Sequence, residues 1–226
     1  MHAQTWPATA TTQASVLASD WLVFAFSGLA VALLVWGLIL FSIVRWRARR
    51  GDRATPQFRN NYPLEIAWTV VPLLMVFGLF LYTYRVEARV DSLVPHPALT
   101  VHITAYRWGW TFAYDGGPVV GGAAGSPVLG SPQAAPPQMV LPIGKVTRLY
   151  IASLDVDHSF WVPDFLFKRD AIPGQITAFD LEPDKLGTYV GHCAEFCGLN
   201  HALMNFSVRV VSAADFQRWR RETPNQ

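Results

Sequence analysis

At 226 residues the chain has room for one or two domains. With 51% hydrophobic and 15% charged residues it is too apolar to be disordered, and two cysteines exclude a disulfide-dense scaffold. The formal charge of +2 conceals a division: seven arginines face Asp52 and Glu65 between Arg45 and Arg85, whereas Val86 onward is net −2.

The N-terminal 20 residues hold a single charge, Asp20, and read as an exported segment (1–20). Trp21 to Val44 then runs 24 residues without a charge, and Ile66 to Tyr84 runs 19. About 20 apolar residues cross a bilayer core as a helix, so 21–88 is expected to be a two-helix transmembrane hairpin. A cleaved signal peptide is the competing reading of the first stretch, but Met1 to Ser19 lacks the basic residue that such a peptide carries. The loop between the stretches holds Arg45, Arg47, Arg49, Arg50, Arg53 and Arg59. Short Arg-rich loops stay cytoplasmic. Both termini are therefore expected on the periplasmic side of a bacterial-type inner membrane, with 89–226 as a periplasmic domain. Pro72 falls inside the second helix, where membrane helices tolerate it.

The exported part reads as β structure, with strands expected at 98–102, 107–114, 146–152, 175–181 and 206–211. Each run is rich in β-branched and aromatic residues, and Gly, Pro and Asp punctuate the gaps, as in a sandwich or barrel. Residues 116–138 are small, Pro/Gly-rich and nearly uncharged, which predicts a flexible surface insertion between strands. Asp215 to Glu222 reads as a short amphipathic helix.

Chemistry is concentrated in Gly191 to Asn205, GHCAEFCGLNHALMN, which holds both cysteines, Cys193 and Cys197, followed by His201 and Met204. Thiolate, imidazole and thioether together select soft or borderline metals, copper above all. His158, in DVDHSFWVP, is placed to supply an upstream imidazole. Two thiolates can bridge two copper ions, each keeping one His and one weak axial ligand, Met204 on one and a backbone carbonyl on the other. Blander readings are a Cys193–Cys197 disulfide, a zinc site, or a helix face formed by the spacing of four between Cys193, Cys197 and His201. His102 and His192 have no motif around them and read as structural or exposed.

These segments resemble subunit II of haem–copper cytochrome c oxidases over nearly the whole chain after the first 20 residues. The family's binuclear copper motif, C-x-E-x-C-G-x-x-H-x-x-M, is matched by Cys193, Glu195, Cys197, Gly198, His201 and Met204. PLEIAWTVVP (63–72), YRWGWTFAY (106–114) and KRDAIPGQ (168–175) are similar to the family's second membrane helix, tryptophan-rich strand and pre-copper turn. The resemblance implies a cupredoxin-like sandwich that binds two coppers through His158, Cys193, Cys197, His201, Met204 and the Glu195 carbonyl. The Glu195 carboxylate would reach a Mg²⁺ shared with subunit I. Trp108 matches the residue that receives electrons from cytochrome c, and Glu65 matches a carboxylate at the mouth of a proton path. Glu65 can also be read as an interfacial anchor.

Two departures stand out. Arg107 and Gly109 occupy positions where the family strand, G-H-Q-W-Y-W, has neutral and aromatic residues. The acidic docking patch is thin, with Asp115, Asp155, Asp157 and Asp164 as candidates. The implied function is the electron-accepting subunit of a proton-pumping cytochrome c oxidase, an oxidoreductase and translocase whose haems and O₂ chemistry reside in subunit I. The expected partners are subunit I, other oxidase subunits, cytochrome c and membrane lipid, with no nucleic acid. Alternatives are a subunit of a copper-containing nitric oxide reductase and a membrane-tethered copper carrier.

Overall fold

The computed structural model describes residues 9–47, 59–121 and 136–223. They divide into two compact units, a helical one within 19–88 and a β-rich one made of 89–223 together with the N-terminal residues up to 18.

Two helices make up the hairpin: α1 (Thr12–Arg45) and α2 (Tyr62–Val90). At 1.5 Å per residue, α1 is about 51 Å long, well beyond the ~30 Å of a bilayer core. Both are apolar enough to cross a membrane. No residue from Trp21 to Trp46 is buried, so α1 presents apolar side chains outward all round. Such a helix is stable only in a solvent that costs nothing for exposed hydrocarbon. Thr11 starts α1, its hydroxyl accepting a hydrogen bond from the Ala14 amide at 3.0 Å. Asn61 starts α2 in the same way, accepting from Leu64 N–H at 3.3 Å, while Glu65 Oε1 accepts from Asn61 N–H at 3.0 Å.

The β unit is a two-layer sandwich of two five-stranded sheets. Among the described residues ten strands follow in chain order: β1 (Leu99–Tyr106), β2 (Gly109–Tyr114), β3 (Val119–Gly121), β4 (Gln138–Pro142), β5 (Thr147–Ser153), β6 (His158–Val162), β7 (Phe167–Ala171), β8 (Thr177–Leu181), β9 (Gly187–Cys193) and β10 (Asn205–Val211). One sheet has the order β3-β2-β1-β5-β8 and the other β4-β10-β9-β6-β7. Each contains one parallel pair, β1 with β5 and β4 with β10, the remaining pairs being antiparallel. This is the cupredoxin-like arrangement expected from the resemblance. A short helix α3 (Ala213–Glu222) follows, capped by Ser212.

The inward faces meet in an aromatic core. Phe160 stacks on Phe206 with ring centres 4.7 Å apart, and Trp110 meets Phe206 edge-on at 5.1 Å. Phe206 comes so close to β9 that a Cβ at Gly191 would sit 2.1 Å from its ring, which is why no larger residue fits there. Tyr114 joins the two sheets: its buried hydroxyl donates to Val140 C=O at 3.0 Å and accepts from Val140 N–H at 2.7 Å.

Three expectations need correction. The strand expected at 107–114 begins at Gly109, because Arg107 and Trp108 form a two-residue turn between β1 and β2, with Tyr106 paired to Gly109. The spacing of four does not mark a helix face, since Cys193 ends a strand and only His201–Leu203 forms a helical turn, of the 3₁₀ type. Part of the expected insertion is ordered as β3, paired to β2, and its final residue Gln138 begins β4; residues 122–135 lie outside the described residues.

Candidate metal centre

The chemistry-bearing loop connects two paired strands. β9 and β10 run antiparallel, and Cys193 N–H donates to Met204 C=O at 3.1 Å, closing the loop at its neck. Cys193 is the last residue of β9, and Met204 immediately precedes β10. The ladder thus fixes both ends of the loop and holds its donors over the end of the sandwich. His158 is the first residue of β6, which pairs with β9 and lies beside the neck of the loop.

The side chains converge. Cys193 Sγ lies 3.9 Å from Cys197 Sγ, and both thiols are free and buried. A disulfide would require about 2.0 Å. His158 Nδ1 is 3.7 Å from Cys193 Sγ, and His201 Nδ1 is 3.6 Å from Cys197 Sγ. Met204 Sδ is 3.8 Å from Cys197 Sγ, and the Glu195 carbonyl oxygen is 3.3 Å from Cys193 Sγ. The donor atoms of His158, Cys193 and Cys197 all lie within 4.8 Å of one another. Each sulfur has one imidazole beside it and one weak donor near it. All six residues singled out in the sequence meet here, although Glu195 contributes a carbonyl while its side chain is exposed.

Such a cluster is awkward without a cation. Burial, followed by repulsion from Cys193, pushes the Cys197 thiol up to about 12. His158 is held below its ordinary value, mainly by burial. Both groups are therefore protonated or neutral, and a soft cation that displaces the thiol protons would relieve the crowding of sulfur. The residues present fit copper: two thiols, two imidazoles and a thioether, with both cysteines, His158 and Met204 buried.

Two neighbours were not legible as partners. Trp108 lies over the loop: its indole N–H donates to Cys197 C=O at 3.2 Å, and its ring edge would be 3.3 Å from a Cβ at Gly198. Gly198 has φ +115°, a backbone conformation that L side chains rarely adopt. Trp110, by contrast, is the core residue of that segment and is fully buried. Asp155 is not a free docking carboxylate: its side chain is only 9% exposed, and Oδ1 lies 2.9 Å from His158 Nε2. Burial works to raise its carboxyl, but hydrogen bonds from His158, Val156 and Arg107 outweigh this and hold it below the ordinary value. The D-x-x-H spacing was the available signal. Asp157 is exposed.

His102 pairs with Asp115 at 3.1 Å and stacks on Tyr150, and His192 Nδ1 lies 2.8 Å from Asn205 Oδ1. Both have partners outside the sulfur cluster. Glu65 lies in the first turn of α2, in the helical unit, with its carboxylate on the Asn61 amide.

Comparison with known proteins bears on the family of the chain. Residues 7–86 match the family model described as cytochrome C oxidase subunit II, transmembrane domain, and residues 133–211 match the one described as its periplasmic domain. Cytochrome c oxidase subunit 2 of Mycobacterium tuberculosis is 34% identical over 265 residues, covering 95% of this chain and 73% of that protein. The probable cytochrome c oxidase subunit 2 of Streptomyces coelicolor is 37% identical over 243 residues, covering 94% of this chain and 76% of that one. Among solved structures, the periplasmic domain of subunit II of cytochrome oxidase of Bradyrhizobium japonicum is 34% identical, with a TM-score of 0.49 over 57% of this chain and 95% of that one. The chain belongs to the cytochrome c oxidase subunit II family.

Proposed function

We propose that this chain is the electron-accepting subunit of a proton-pumping cytochrome c oxidase, partnered by subunit I and other oxidase subunits. The observation that carries the reading is the convergence of two free thiols, two imidazoles, a thioether and a carbonyl on one buried spot. Bound there, two copper ions would supply a one-electron relay between cytochrome c and the haem of subunit I, where O₂ is reduced to water.

The chain's own residues do the rest. Cys193, Cys197, His158 and His201 would hold the copper, with Met204 and the Glu195 carbonyl as weaker donors. Strand ends place Cys193 and His158, and the loop closed between β9 and β10 places the others. The exposed Glu195 side chain would be free to reach a Mg²⁺ shared with subunit I. Phe196, Leu199 and Leu203, between 63% and 90% exposed, make an apolar rim on which a cytochrome can seat. Trp108 donates its indole N–H to the carbonyl of Cys197, the residue that follows Phe196. Burial also argues against a copper carrier, which needs ligands accessible for exchange; His158 is 0% and Met204 1% exposed.

The expected organisation is an exported segment at 1–20, a hairpin at 21–88 and the copper domain at 89–226. Ala10 and Thr12 hydrogen-bond to the backbone of Asp164, Asp184 and Glu182 in the β unit, which supports placing the N-terminus and that unit on one side of the membrane. The Arg-rich loop would then be cytoplasmic. Glu65, near that loop, is assigned to the mouth of a proton path. Its cap on Asn61 is a second role that the Gln variant preserves in part.

Copper analysis and electron paramagnetic resonance on the purified oxidase test the reading, together with oxygen uptake from reduced cytochrome c. Two coppers in this subunit with one unpaired electron shared over both, and uptake coupled to cytochrome c, are expected. One copper with a single-site signal would reject it, and nitric oxide reduction without oxygen uptake would move the chain to the reductase. Glu65→Gln should lower oxygen uptake while the copper spectrum and its reduction by cytochrome c stay unchanged.

A further inference from the structure

The turn between β1 and β2 is held to the metal loops on both sides. Trp108 binds the Cys197 carbonyl. Arg107 binds Asp155 twice, through its backbone N–H at 2.8 Å and its side-chain Nε at 3.1 Å, both on Oδ2. The other oxygen, Oδ1, accepts from Val156 N–H at 2.7 Å and faces His158 Nε2 at 2.9 Å. Every direction open to this carboxylate is thus occupied.

We propose that Arg107 is a positioning residue for the metal centre, acting through Asp155 on His158, and that its positive charge raises the electron affinity of the bound copper. The inference rests on the copper reading above. A carboxylate facing Nε2 requires that nitrogen to carry the proton, which leaves the Nδ1 lone pair directed at Cys193 and the metal position. A carboxylate on a ligating imidazole also makes it a stronger donor and so favours the oxidised metal. The guanidinium counters that. It neutralises Asp155 from the far oxygen without touching the imidazole, so the tautomer is kept while the excess donation is withdrawn.

The geometry separates position from charge. Asp155 keeps the Arg107 backbone N–H and the Val156 N–H whatever side chain stands at 107. A neutral side chain there removes the cation and leaves the carboxylate in place. Because the Arg107 side chain is 46% exposed, its field is partly screened and the effect is moderate.

The test uses the full chain, with both helices, in detergent and loaded with copper, titrated spectroelectrochemically on the copper absorption bands. Arg107→Gln should keep the copper content and band shape while electron affinity falls about three- to tenfold, which for a one-electron couple is about 30–59 mV. Arg107→Lys, which keeps the charge, should stay within about twofold of wild type. Asp155→Asn should shift the other way and alter the bands, because His158 loses its orienting partner. Fully loaded Arg107→Gln with the wild-type potential would overturn the inference. So would Arg107→Lys falling as far as Gln, or Arg107→Gln failing to load, which makes the residue one of loop folding only. A wild-type chain that takes up no copper would instead overturn the copper reading itself.

Discussion

Phe26 on α1 is 67% exposed, whereas Phe160 in the sandwich is fully buried, and each is where its surroundings favour it. The hairpin turns its apolar side chains outward and keeps no large hydrophobic core between Trp21 and Trp46. The sandwich hides Trp110, Phe112, Phe160, Phe179 and Phe206 and surrounds them with polar faces. At the metal loop the sandwich behaves like the hairpin, leaving Phe196 at 78% and Leu199 at 90% exposure. Exposed hydrocarbon on a water-facing surface marks a contact to be made. The contrast teaches that the same residue type reports lipid, core or partner according to its surroundings, and that substitutions should separate the three.

The largest effect is expected where burial serves the metal. Cys197→Ser replaces a soft thiolate by a hydroxyl at a position 4% exposed. The signal shared over two coppers should disappear entirely, with copper content falling to one ion or none. Metal analysis and electron paramagnetic resonance on the full chain check this, and two retained coppers with a shared signal would show that the thiol is not a bridge.

Next comes a matched pair of arginine substitutions. Leu34 on α1 is 62% exposed and Leu199 on the loop 90%. Leu34→Arg should cost about 3 kcal/mol of membrane insertion, since a charge at the centre of a spanning helix costs that much. Leu199→Arg should cost under about 0.5 kcal/mol of stability while weakening cytochrome c binding. An insertion assay and thermal unfolding read the two. Equal behaviour of the pair would erase the distinction between lipid-facing and partner-facing hydrocarbon.

How much of this was legible follows from the same physics. The hairpin was read correctly because long uncharged runs have few other uses. Strands β1, β2, β5, β8 and β10 were found because branched and aromatic residues dominate them, even where the ends were off. Strand β7, Phe-Lys-Arg-Asp-Ala at a sheet edge, has polar residues at its centre, so composition hid it. Strand β9 was missed because five of its seven residues are not buried and two are glycines. That His158, Cys193, Cys197, His201 and Met204 form one cluster was legible from residue type and spacing, and the Glu195 carbonyl came from the resemblance. Their supports were not: Asp155 looked like a surface acid, and Arg107-Trp108 lacks the glycine or asparagine that marks a two-residue turn. Bonds to Asp155 and Cys197 from distant parts of the chain hold that turn, and no local pattern encodes them.

Trp108 and Trp110 bring the inside–outside contrast down to two residues. Trp110 is fully buried and its indole N–H donates to Met204 C=O at 3.3 Å, so Trp110→Ala should unfold the core and lose copper together. Trp108→Ala removes one hydrogen bond at the rim. Copper content and unfolding temperature should stay close to wild type while reduction by cytochrome c slows about tenfold or more, because the contact that aligns donor and acceptor is lost. Stopped-flow reduction of the copper-loaded protein decides it, and a normal rate would remove Trp108 from the electron path.

The smallest effect belongs to the surface carboxylates, and it distinguishes two aspartates that look alike in the sequence. Asp157 is exposed, whereas Asp155 is 9% exposed and bonded on both oxygens. Only the first can act at long range on a basic partner, and a single exposed charge is screened within about 8–10 Å at physiological salt. Asp157→Asn should therefore slow association with cytochrome c by about twofold at low ionic strength, with the difference vanishing as salt rises and the limiting electron-transfer rate unchanged. Asp155→Asn should do the reverse: little change in the salt dependence of association, and a change in the copper bands and potential. Steering by an exposed charge scales with screening, and orientation of a buried ligand does not. If both variants altered the salt slope equally and neither altered the bands, Asp155 would return to the docking patch and His158 would need another explanation for its orientation.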